Sequence, residues 1–79
     1  MLEKRLKEET LKMLEKIKEQ RRNLVSVKRK DLLKNIDAYI SDTEYFLKKS
    51  MLIEAFEAIV WAWAWLEILE QLGYLRKIK

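Results

Sequence analysis

At 79 residues and a formal net charge of +4, the chain has room for one hydrophobic core, close to the size at which a lone core needs help to hold together. Cysteine and histidine are both absent, which removes disulfide staples, thiol nucleophiles, zinc sites built on those ligands and imidazole acid–base chemistry. With 49% hydrophobic and 38% charged residues, one Gly and no Pro, the composition is that of a helical globular protein, neither disordered nor collagenous.

From Leu2 onward the apolar positions Leu2, Leu6, Met13, Ile17 and Leu24 fall within about 60° of one another at 100° per residue, which predicts a one-sided helix. It should end near Arg22, because Asn23-Leu24-Val25-Ser26-Val27 joins a turn former to β-branched residues that propagate helices poorly. A second helix is expected from about residue 27 to 49. Its Leu32, Leu33, Ile36, Tyr39, Ile40, Thr43, Phe46 and Leu47 span an arc of about 140°, the width of a core-facing stripe. Lys34, Asp37, Ser41, Glu44 and Lys48 lie opposite, as a solvated face.

The third helix is expected over about 51 to 72, stopping at Gly73, the chain's only glycine and the residue suited to a left-handed cap. Trp61-Ala62-Trp63-Ala64-Trp65 alternates large and small as a strand would, but no turn former interrupts Met51 to Leu72. The alanines and Glu54, Glu57, Glu67 and Glu70 favour helix as well. Three matched segments with short links predict an all-α fold: a left-handed, up-down-up three-helix bundle with antiparallel neighbours, a single domain over 1–79 with a tail at 73–79.

Wound as a helix, the third segment puts Ala55, Ile59, Ala62, Leu66 and Leu69 at the centre of a buried face, with Leu52, Phe56 and Trp63 on one flank and Ala58, Trp65 and Leu72 on the other. Two neighbours can cover those. Trp61, Ala64 and Ile68, with Val60 beside them, fall on the remaining face and predict an outward apolar seam. The competing expectation is that the N-terminal segment or the tail Tyr74-Leu75-Arg76-Lys77-Ile78-Lys79 folds back over that seam.

The stretch from Tyr39-Ile40-Ser41-Asp42 through Tyr45-Phe46-Leu47-Lys48-Lys49, followed by Ala55-Phe56-Glu57-Ala58 and Trp61-Ala62-Trp63-Ala64-Trp65-Leu66-Glu67, resembles a small archaeal family, domain of unknown function 357. The likeness extends over roughly residues 3 to 73. It implies a compact three-helix bundle of cytoplasmic archaeal origin with no assigned activity and no catalytic residues. Members commonly carry Gly-Asp after the Lys-rich end of the second helix, where this chain has Ser50-Met51. A weakened left-handed cap is therefore expected there, with Ser50 serving as N-cap of the third helix instead.

Charge is distributed unevenly: residues 1 to 30 carry eleven bases and five acids, residues 31 to 79 six and eight, or +6 against −2. Arg21, Arg22, Lys28, Arg29, Lys30 and Lys34 form a basic cluster around the first interhelical link, a candidate site for anions or nucleic acid. No aromatic is interleaved there, which disfavours sequence-selective recognition of single strands. Glu54 and Glu57, like Glu67 and Glu70, are spaced i,i+3, but the two pairs lie well round the helix from each other, so no metal site and no cofactor are expected.

The longest apolar run, Ala58 to Leu66, is nine residues, against about twenty for a bilayer span. The N-terminus has no apolar stretch of signal-peptide type, so a cytoplasmic location is expected and no membrane association. Abundant Lys and Glu with few Asn and Gln is a thermophile-like composition. Together these readings favour a structural or protein-interaction module, not an enzyme, that forms a homodimer or binds a protein partner through Val60, Trp61, Ala64 and Ile68. The alternative is electrostatic RNA binding through the basic cluster.

Overall fold

The computed structural model describes residues 2–26 and 30–78. Helix α1 (Leu2–Arg22) leads into a short strand β1 (Leu24–Ser26), followed by α2 (Lys30–Lys48), α3 (Leu52–Gln71) and a second strand β2 (Leu75–Lys77). The helices form an up-down-up bundle of 41 × 21 × 17 Å, as the matched lengths and tight links require.

Helix α3 is the axis of the packing: α2 lies against it most closely, α1 next, and α1 and α2 touch each other least. Its sequence explains why. Ala55, Ala58 and Ala62 are buried and leave room for close approach, while Ile59, Leu66 and Leu69 fill the space between. Ile17 from α1 and Ile36 from α2 reach zero exposure in the same core, and Leu14, Ile40, Leu24 and Leu75 complete it. Each such side chain contributes about 1.5–3 kcal/mol by leaving water.

Two buried threonines, Thr10 and Thr43, satisfy their hydroxyls within their own helices, donating to the carbonyls of Leu6 at 2.7 Å and Tyr39 at 2.8 Å. The Trp63 indole Nε1–H donates to the Met13 carbonyl at 3.0 Å and so ties α3 to α1. Across the more open α1–α2 face, Lys18 meets Glu44 at 3.1 Å. Arg21 holds Asp37 in a bidentate pair, Nε to Oδ1 at 2.6 Å and Nη2 to Oδ2 at 2.9 Å.

The first and third predicted helices agree with the structure to within a residue at each end. The second differs at its start, because Ser26 ends β1 and α2 is seen from Lys30. Val27, Lys28 and Arg29 lie outside the described residues. The sequence reading also missed the strands. β1 and β2 pair antiparallel in the register Leu24↔Lys77, Val25↔Arg76 and Ser26↔Leu75, and the Ile78 amide extends the ladder by donating to the Asn23 carbonyl at 2.7 Å.

The α2–α3 link corrects a further expectation. Ser50 does not cap α3; the N-cap is Met51, and no side chain caps it. Ser50 itself adopts φ 57°, its amide donates to the Leu47 carbonyl, and the Met51 amide donates to the Phe46 carbonyl. That is a left-handed Schellman cap on α2, retained without glycine. The same pair of bonds recurs after α3, where Gly73 at φ 77° donates to Glu70 and Tyr74 donates to Leu69.

Candidate functional site

Helix α3 is apolar almost all round, yet only two helices pack on it, so part of its hydrophobic girth must face solvent. That part is the predicted seam. Trp61 is 55% exposed, Ile68 46% and Val60 40%, with Ala64 half-buried between them. Glu54, Glu57, Glu67 and Gln71 are exposed on the same helix: Glu54, Glu57 and Gln71 share the face and break the stripe toward its two ends, and Glu67 lies to one side. The tail does not fold over it, because β2 turns away to pair with β1.

Leu72 lengthens the seam, contrary to its expected place beside the buried face. The helix stops at Gln71, the chain reverses at Gly73, and Leu75 takes the core position, leaving Leu72 59% exposed. At 100° per residue Leu72 stands within about 20° of Trp61, so Trp61, Ile68 and Leu72 form one line. The signal lies in the same count: Leu72 stands about 100° from the centre of the buried face and far nearer to Trp61. The other two tryptophans are half-buried, Trp63 against α1 and both on the edge of the core.

The basic cluster is only partly assembled as the sequence suggested. Arg21 is engaged by Asp37, whereas Arg22, Lys30 and Lys34 are exposed; Lys28 and Arg29 lie outside the described residues. Arg21, Lys30, Lys34 and Asp37 border an open cleft of about 530 Å³ whose floor is Leu24, Val25 and Leu33. Two cations absent from the sequence reading join this end of the molecule, Arg76 and Lys77, both exposed and carried there by β2. Among the described residues no group of acids stands close enough to hold a metal ion, and no helix is long and apolar enough to cross a membrane.

A family model described as "Protein of unknown function (DUF357)" matches residues 3–75. The crystal structure of protein AF1782 from Archaeoglobus fulgidus, also assigned to DUF357, is 48% identical in sequence, with 98% of this chain and 99% of that one covered and a TM-score of 0.92. No curated protein matches significantly. The family match and the structural likeness span the same three helices and the seam on α3, and on that ground the chain belongs to the DUF357 family.

Proposed function

We propose that the protein is an interaction module that pairs with a second copy of itself through the outward face of α3. The observation that carries this reading is the exposed line of Trp61, Ile68 and Leu72, an apolar stripe on a helix of a small protein that has no disulfide to brace it.

A second copy is favoured over an unrelated partner by the self-complementary order of residues along α3. In an antiparallel pair crossing at Ala64, a small residue that permits close approach, Val60 of one copy lies beside Ile68 of the other, and Trp61 beside Glu67. Glu57 then lies beside Gln71, so no acid meets an acid. α3 carries four glutamates and no base, and a parallel pair would stack like on like.

A tryptophan side chain offers about 150–250 Å², of which the 55% exposed in this chain is about 100 Å². Burying it is worth about 2–3 kcal/mol gross per copy at ~25 cal/mol/Å². The test is molar mass by light scattering. The wild type should show twice the 9.6 kDa chain mass, and Trp61→Glu should be a folded monomer, its dissociation constant raised at least about a thousandfold. A monomeric wild type at about 100 µM, or a Trp61→Glu variant of unchanged mass, would remove self-association.

A further inference from the structure

Two segments about fifty residues apart in the sequence meet at the end of the bundle where α1 stops and α2 begins. β1 leads out of α1, β2 is the tail beyond α3, and their register places Arg76 directly across from Val25. Residues directly opposed in an antiparallel pair project from the same face with Cβ atoms about 5 Å apart. Arg76 therefore stands on the ribbon face that carries Val25, and Val25 lines the cleft bordered by Lys30 and Lys34. Lys77, paired with Leu24, projects from the other face of the ribbon and is exposed at the same end of the molecule.

Glu19, Glu67 and Glu70 stand near the ends of α1 and α3 at this pole, yet the cations here form no ion pair with them. Asp37 is occupied by Arg21, and Asp31 is already engaged. Arg22, Lys30, Lys34, Arg76 and Lys77 are exposed and make no ion pair among the described residues. Lys30 and Lys34 are one helical turn apart, an arrangement of like charges that destabilises a helix by a few tenths of a kcal/mol. The stretch from Arg22 to Lys34 and the distant β2 thus bring five cations without an ion pair among the described residues to one end of the bundle, about 17–21 Å across.

We infer that this pole binds the phosphate backbone of a nucleic-acid duplex. A duplex carries one negative charge per ~1.7 Å of axis with both strands counted, so a duplex lying across an end of this width presents on the order of ten phosphates, about half of them turned toward the protein and comparable in number to the five cations. A single strand is disfavoured because it is held by exposed aromatic platforms, and Tyr74, the aromatic at this pole, is half-buried against the core. A membrane surface calls for an amphipathic helical face beside the cations, and the flank here is a two-stranded ribbon. Phosphate contacts carry no sequence information, so binding is indifferent to base sequence.

The test is fluorescence anisotropy with labelled duplexes of about 16 bp, one RNA and one DNA, titrated with the full chain at about 50 and 200 mM salt. Five phosphate contacts give a log–log salt slope of about −4.5, a loss of affinity of about 500-fold across that interval. Arg76→Glu with Lys77→Glu should cut the loss to about 40-fold, the value for three contacts. Should circular dichroism show that the reversals unfold the chain, Arg76→Gln with Lys77→Gln makes the same comparison. Lys4→Glu with Lys7→Glu, at the far end of α1, should leave the loss at about 500-fold. Three results overturn the inference: no binding of either duplex at 50 mM salt, a salt slope that the ribbon variants leave unchanged, or preference for phosphatidylserine vesicles over both duplexes. None of these readouts depends on pairing through α3, because the Trp61→Glu chain should bind with the same slope.

Discussion

Replacing Ser50 by glycine should stabilise the protein, although the serine occupies a cap that the chain already forms. Ser50 sits at φ 57°, a region in which a Cβ crowds the following carbonyl at a cost of about 1–2 kcal/mol. Its hydroxyl makes no hydrogen bond among the described residues, and α3 begins without a side-chain cap, so the substitution removes no hydrogen bond. Glycine returns about 0.5–1 kcal/mol of that gain through the greater freedom of the unfolded chain. A net gain of about 0.5–1 kcal/mol remains, or about 2–8 °C in Tm for a domain of this size. Gly73→Ser supplies the mirror experiment. At φ 77°, with nothing within 4 Å of where a Cβ would sit, its cost is purely conformational and should be about 1 kcal/mol. Urea melts of the three proteins at one protein concentration measure both shifts, provided the m-values agree. A Ser50→Gly chain no more stable than wild type, beside a Gly73→Ser chain that loses nothing, would refute the account of both caps.

Trp63→Phe should cost about 1 kcal/mol more than Trp65→Phe in the same melts, because among the described residues the Trp63 indole donates a hydrogen bond, to the Met13 carbonyl, and the Trp65 indole donates none. A double-mutant cycle on Arg21→Met and Asp37→Asn should return a coupling of about 0.2–1 kcal/mol that shrinks with salt. The two side chains are 28% and 46% exposed, and solvent screens the pair despite its bidentate geometry.

Periodicity carried the helices and the α3 seam, because a stripe of large apolar residues at 3.6-residue spacing is a property of the local sequence alone. Trp61 and Ile68 could be placed outside by counting faces, since two neighbours cannot wrap a helix that is apolar all round. The ribbon could not be found this way. Leu24-Val25-Ser26 and Leu75-Arg76-Lys77 are each too short to show an alternation, and each becomes a strand only by meeting the other about fifty residues away. For the same reason the sequence alone does not bring Arg76 and Lys77 to the basic cluster, and it places Arg21 there although Asp37, sixteen residues on, claims it. The cap at Ser50 was misread because serine is the usual N-cap residue, and local preference yielded to the backbone reversal that the α2–α3 packing demands.

The ribbon also bears on how the chain reaches its shape. α2 and α3 are joined by a tight reversal and can zip together from neighbouring residues, a low-contact-order step. Closing β1 onto β2 instead joins points about fifty residues apart, and each doubling of such a circuit costs only about 0.6 kcal/mol more. That cost is largely met once α1 has docked and brought Leu24 to the core beside Leu75. The clasp is thus the last piece to close and the first to fray. Amide protons of Ile78 and its ladder neighbours should exchange with solvent well before those of Ile59 and Ala62.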